Sequence, residues 1–498
     1  MTKTFLLGAS SLLTLLAATP ASAQHAGHAG HAMPMPAPKP TAPQPTPPKQ
    51  AAPKPDRAAA TAPDPHAGHD MATPPAADPH AGHDMSATPA ADPHAGHDMS
   101  AMEHGDHGAM TGALGSYPAG RESSGTAWQP DSAEHRGLMT QVGDWHLMGH
   151  ADLFGVYSKQ GSRRGDDKLF GAGMIMGMAR RPVGEGTLQF RAAFSPDPLM
   201  GRSGYPLLLA SGETANGVDR LIDRQHPHDF VMELSASISQ PIGPRSSVFL
   251  YGGLPGEPAF GPGAFMHRES IMDSPEAPIS HHWLDSQHIS FGVLTAGLVL
   301  DRFKVEASRF NGREPDQRRW NIETGKLDST ALRASWNPTD SLSLQLSWAS
   351  LKDPEQLEPG VDQKRWSASG IYATDLGSGW RSATTLAWGR KSAEGHAYDA
   401  FVAESSLKKG LWTLFGRGEI TENSELLPID HEDEDHHGEA FRVGKISAGA
   451  IRDFAIAPQV KLGVGGLVAV NFVPEGLREE YGKSRPLGGM AFVRLKVG

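Results

Sequence analysis

From residue 143 onward the chain alternates apolar residues with small or polar ones at a period of two, the repeat of a β-strand rather than of a helix. Leu342, Leu344, Leu346 and Trp348 fall on one face, and Ser343, Gln345 and Ser347 on the other. The same division recurs at Leu188, Phe190, Ala192 and Phe194 against Gln189, Arg191 and Ser195. It recurs again at Val460, Leu462, Val464, Val468 and Val470 against Lys461 and Asn471. Alternation alone does not say which face meets water, because a soluble sandwich turns its apolar face inward and a membrane barrel turns it to lipid. The connections decide. Tight turns are expected at 183–185, 242–245, 301–302, 338–341, 377–379, 408–410 and 456–458. Longer polar loops are expected at 158–168, 197–229, 255–288, 312–328, 352–363, 391–398, 421–440 and 473–484. This short and long rhythm predicts an all-β fold, a transmembrane antiparallel up-and-down β-barrel of about 16 strands, with periplasmic turns, extracellular loops and both ends on the periplasmic side.

Strands of about 10 to 13 residues suit a tilted crossing of the hydrocarbon layer. Trp145, Trp336, Trp348, Trp366, Trp380, Trp388 and Trp412 fall near predicted strand ends, where aromatic girdles lie in such barrels.

Composition changes once, near Ser123, and divides the chain into a leader, a tail and a body. Residues 1–23 read as a secretory signal, with Lys3 in the charged region, an apolar run from Phe5 to Ala18 and a cleavage site at Ala21-Ser22-Ala23. Residues 24–122 are rich in Pro, Ala, Gly, His and Met and nearly lack aromatic residues, so they cannot bury enough apolar surface to offset ordering and are expected to be disordered. Residues 123–498 form the barrel. The chain has no cysteine, which excludes disulfides, thiolate metal sites and a lipoprotein anchor. A formal net charge of -11 gives no support to nucleic-acid binding.

The tail carries the most specific motif. Asp-Pro-His-Ala-Gly-His-Asp-Met begins at Asp64, Asp78 and Asp92, a strict 14-residue period. Each copy supplies two imidazoles, a carboxylate and a thioether: His66, His69, Asp70 and Met71; His80, His83, Asp84 and Met85; His94, His97, Asp98 and Met99. His104 and His107 continue the series, and a turn through Ala-Gly lets each His-x-x-His pair reach one ion. Imidazole accepts copper, zinc and nickel alike, whereas thioether favours Cu(I), so copper is the expected metal and zinc or nickel the alternatives.

A signal peptide, a His/Asp/Met-repeat tail over Asp64 to Met110 and a β-barrel body together resemble the copper-resistance outer-membrane proteins of the copper resistance protein B type. That resemblance implies periplasmic copper sequestration and copper tolerance at the outer membrane, with lipid, metal ions and other periplasmic copper-handling proteins as partners.

The body has polar clusters of its own. Arg224-Gln225-His226-Pro227-His228-Asp229 closes one long loop, and the next contains Met266-His267-Arg268-Glu269 and His281-His282-Trp283-Leu284-Asp285 with His288. Folded inward, these loops would constrict the pore and present a metal site made of His226, His228, Asp229, His281 and His282; the blander expectation is hydrogen-bonded loop residues that order the pore mouth. The run from His431 to His437 reads as a solvated acidic loop. No P-loop, dinucleotide fingerprint or Gly-x-Ser-x-Gly elbow is present, and no enzyme activity is expected. A general or substrate-specific porin with an incidental tail is the alternative reading, and an outer-membrane hydrolase using His226, His228 or His281 is the least supported one.

Overall fold

The computed structural model describes residues 111–428 and 439–498. Its strands are β1 (Leu138–Val142), β2 (Trp145–Gly161), β3 (Asp167–Val183), β4 (Gly186–Phe194), β5 (Tyr205–Thr214), β6 (Arg220–Gln225), β7 (Val231–Gly243), β8 (Ser246–Gly253), β9 (Val293–Leu300) and β10 (Phe303–Phe310). They continue as β11 (Ser329–Thr339), β12 (Leu342–Leu351), β13 (Gln363–Gly377), β14 (Trp380–Ala393), β15 (His396–Lys409), β16 (Trp412–Asn423), β17 (Phe441–Ala457), β18 (Val460–Phe472) and β19 (Leu487–Val497). Neighbours in sequence pair antiparallel from β2 to β19, with β4 passing directly to β7 because β5 and β6 form a separate hairpin. β19 then returns to β2, Leu487 opposite Gly161 through to Val497 opposite Ala151, and closes a cylinder of 16 strands. Closure leaves no free edge, the condition for crossing hydrocarbon with strands.

β1 adds a feature that the alternation does not show. It pairs with the first part of β2, Leu138 opposite Gly149 to Val142 opposite Trp145, so β19 and β1 lie end to end along one side of that 17-residue strand. The join is tight: a Cβ on Gly498 would stand 2.7 Å from the Cα of Gly137, and both residues adopt positive φ.

The residues on the two faces settle the question of inside and outside. Leu346 is 51% exposed and Val468 70%, while their neighbours Ser347 and Ala469 are 2% exposed. Phe190 is likewise exposed between buried Gln189 and Arg191. An apolar surface around a polar interior is the inverse of a soluble protein and is stable only when lipid surrounds it. Leu346→Arg is therefore expected to cost about 2–4 kcal/mol when the protein unfolds from vesicles in denaturant, against almost nothing for a neutral swap such as Leu346→Ile.

Trp145, Trp336, Trp380 and Trp412 stand beside short turns, and Trp348, Trp366 and Trp388 towards the other rim. On β13 the distance from Trp366 to Gly377, which opposes Trp380, is roughly 37 Å along the strand, or ~28 Å across the bilayer at a usual tilt. The two belts thus bracket a hydrocarbon layer.

All seven expected tight turns are present. One expected long loop is not: β14 and β15 run on through 391–398 and reverse at Glu394 and Gly395, both with positive φ. The boundary at residue 122 also moves. Residues 111–122, assigned to the tail, pack inside the barrel with the segment that follows them. Leu114, Tyr117 and Trp128 form a cluster with the inward-facing Phe249 and Val299, and Tyr117 meets Trp128 edge-on at 5.2 Å. Arg333 Nη2 donates to Thr126 Oγ1 at 3.0 Å, and Arg191 Nη2 to the Gly125 carbonyl at 2.6 Å. The sequence disguised this plug because it has small residues and prolines but no period. The connection from β8 to β9 also folds inward and carries α1 (His281–Leu284), so Arg333, Arg365 and Arg494 point into the lumen yet are buried, as Lys304 is beneath Thr126 and Trp128.

Candidate metal centre

Two inward loops supply the site. The first runs from β4 to β7 through a short 3-10 turn at Asp197–Met200, the β5–β6 hairpin and the extended segment Gln225-His226-Pro227-His228. Pro227 holds that segment extended, so His226 and His228 diverge to ring centroids 6.5 Å apart. The second loop places His281 on α1, and the following 3-10 turn, Ser286–His288, ends on His288.

His228, His281 and His288 bring one ring nitrogen each to within 4.8 Å of the others. Their other nitrogens are engaged. His228 Nδ1 lies 2.9 Å from Asp197 Oδ2, His281 Nδ1 2.7 Å from Asp285 Oδ1, and His288 Nδ1 2.7 Å from the Asp285 carbonyl. A carbonyl only accepts, so His288 carries its proton on Nδ1 and turns a lone pair outward from Nε2. The carboxylates assign the same tautomer to the other two rings. All three Nε2 atoms are buried and without a hydrogen-bond partner. Each such orphan costs about 1–3 kcal/mol, and three neighbouring imidazoles of this kind could together hold a metal ion, whose bonds to imidazole nitrogen are ~2.0–2.1 Å.

Electrostatics favour neutral rings at His281 and His288 and a charged carboxylate at Asp285. Burial lowers the pKa of His281 in spite of Asp285, and burial together with the adjacent imidazoles takes His288 well below its ordinary value. Burial works to raise Asp285, but Arg268 and His281 hold it well below the usual carboxylate range. Behind the ligands the loop is bolted to the wall. Arg268 Nη1 donates to Asp285 Oδ2 at 2.6 Å, and Arg268 grips Glu404 of β15 through two bonds of 2.8 Å. On the other side, Asp197 Oδ1 accepts from the Gly173 amide of β3 at 3.2 Å.

The outcome differs from the expected five-residue set. His228 and His281 belong to the centre. Asp229 does not: it pairs with Arg319 at 3.2 Å, and burial raises its pKa to about 6 against that cation. His282 turns away to Glu314 at 3.2 Å, and Gly212 permits this, since a Cβ there would lie 2.8 Å from the His282 ring. His226 sits between the two groups, 6.2 Å ring to ring from His281, with Glu213 3.2 Å from its Nδ1. Glu213 in turn pairs with Arg319. His288, rather than Asp229 or His282, is the third residue of the cluster. Its sequence signal was available: His288 follows His281 by seven residues in the same loop cluster, with Asp285 between them. The tail ligands from His66 to His107 and the acidic run from His431 to His437 lie outside the described residues. No hydroxyl is hydrogen bonded to Nε2 of His228, His281 or His288, so these Asp–His pairs have no serine in place.

Beside His228 opens a cavity of about 70 Å³, lined also by His150, Met174, Met266, His267 and Met272. Three imidazoles leave a coordination position free, and the cavity that shares His228 with them holds the thioethers of Met174, Met266 and Met272.

A closed, lipid-facing cylinder of paired strands, with its ends on the short-turn side and long loops folded into it, defines an outer-membrane-type β-barrel protein. No protein-family profile and no curated protein matches the chain. Among solved structures it is similar to OmpT of Vibrio cholerae, at 8% identity over 72% of this chain and 100% of that one, TM-score 0.41. It is also similar to OmpF of Salmonella typhi in complex with daunomycin (11%, 72% and 100%, TM-score 0.45) and to an anion-selective porin from Comamonas acidovorans (11%, 71% and 99%, TM-score 0.41).

Proposed function

We propose that this protein binds copper at the outer membrane, through a periplasmic tail of His/Asp/Met repeats and a three-histidine centre in its lumen, and contributes to copper sequestration and tolerance. The observation that carries the reading is the convergence of three orphaned, correctly tautomerised Nε2 atoms in a buried site. Nearby thioethers favour copper over zinc or nickel. The chain enters the barrel at Thr111, whose carbonyl accepts from Arg180 near the short β3–β4 turn, which supports a tail on the periplasmic side. Membrane lipid, the metal and periplasmic copper-handling proteins are its partners in this reading. An open porin is the second reading, and the burial of Lys304, Arg333, Arg365 and Arg494 beneath the plug and the loops weighs against it.

The test is growth of a deletion strain on copper, zinc and nickel gradients, complemented with the full-length protein, a version lacking residues 24–110, and His281→Ala/His288→Ala. Full-length protein is expected to restore growth on copper specifically, and each variant to restore it only in part. Equal rescue by all three would remove the proposal.

A further inference from the structure

Between the three-histidine centre and the short-turn rim, the wall carries sulfur and imidazole in register. Met174, Met176 and Met178 occupy alternate, inward positions of β3, and β2 sets Asp152, His150 and Met148 directly opposite them. Successive inward positions are ~7 Å apart along a strand. At the inner end Met174 lines the same cavity as His228. Midway, His150 Nδ1 is buried without a hydrogen-bond partner, and its ring lies 6.5 Å from that of His267. At the outer end the next pair is exposed His146 opposite Arg180, and Arg180 Nη1 donates to the carbonyl of Thr111 at 2.6 Å. Met174 and Met176, with Met178 against them, pack in an apolar cluster with Met232, Ile289 and Phe291, space that leucine would fill equally; the repeated thioethers, and the imidazole opposite Met176 whose buried Nδ1 has no partner, need a further reason.

We infer that this methionine–histidine row is a route along which Cu(I) passes between the short-turn rim and the three-histidine centre. The inference rests on the function proposed above. Each step is ligand exchange between neutral donors: one copper–sulfur or copper–nitrogen bond forms as another breaks, with no change of oxidation state and no proton released. Zn(II) has little affinity for thioether and gains nothing from the row.

The test uses the full-length protein in detergent, loaded with Cu(I) from a chromogenic Cu(I) chelator whose colour change reports transfer. The barrel's share is the part lost in His281→Ala/His288→Ala. Met148→Leu/Met176→Leu/Met178→Leu keeps the packing volume and lies beyond the cavity. It is expected to slow loading of that share by about tenfold or more, with the final amount bound and the rate of Zn(II) loading unchanged. A Cu(I) rate within about twofold of wild type overturns the route and leaves the centre standing. Absence of any share dependent on His281 and His288 overturns the centre itself, and the route with it. The wild-type protein gives an independent reading: with ¹³C-methyl methionine, Ag(I), a closed-shell stand-in for Cu(I), is expected to shift the Met148, Met176 and Met178 methyl signals. Unmoved signals overturn the route.

Discussion

His281→Ala/His288→Ala is expected to weaken copper binding by the barrel by at least about a hundredfold, because one imidazole cannot hold an ion that three were arranged to share. Asp285→Asn tests the support rather than the ligands. It keeps an oxygen near His281 Nδ1 but removes the charge that orients the ring and pairs with Arg268, and a loss of about 10–100-fold is expected. His226→Ala is the control, its ring being adjacent to the three yet outside them, and its affinity should stay within a few-fold of wild type. Competition against a chelator, with the tail removed so that only the barrel is read, measures all three. Undiminished affinity in the double variant would mean that the convergence of nitrogens holds no metal.

The second large effect is expected at Glu404. Its carboxylate is buried against Arg268, which is itself buried and ties the β8–β9 loop to β15. Glu404→Ala removes a carboxylate that two buried guanidiniums share, leaving Arg268 with Asp285 alone and depriving Arg417 of the same partner, and removing one partner of a buried pair costs about 3–5 kcal/mol. The energy is local, so the loop, not the cylinder, should let go. Channel conductance in planar bilayers and tryptic cleavage between residues 254 and 292 are expected to rise, while the folded barrel still resists denaturant. Arg268→Leu/Glu404→Leu should recover little conductance control, since Asp285 and Arg417 then lose their buried partners in turn. If Glu404→Ala conducts and resists trypsin like wild type, the loop is held by something else.

The barrel was legible because two signals are local. Side-chain alternation follows from the two-residue repeat of a strand, and tight reversals demand residues tolerant of positive φ, as at Gly184, Asp301, Ser378 and Gly410. Where a reversal is built from Glu394 and Gly395 between polar strand ends, the same polarity that marks a loop also coats a strand that projects beyond the bilayer, and the reading erred. β1 escaped because five exposed residues, Leu-Met-Thr-Gln-Val, show too short a period to count. The centre was half legible. Histidines in long loops are visible, but which of them share an ion depends on partners far away in sequence: Asp197 for His228, Glu404 through Arg268 for His281, and the arginine that claims Asp229. Long-range pairing of this kind leaves no trace in spacing.

The abutment of β1 and β19 along a single neighbour bears on how the molecule is made. The wall cannot be sealed until the last strand arrives, and the segment that fills the bore is covalently joined to the other half of that seam. Stopper and seam are therefore set by one continuous stretch of chain, and sliding β1 along its neighbour would pull on the segment packed against Phe249 and Val299.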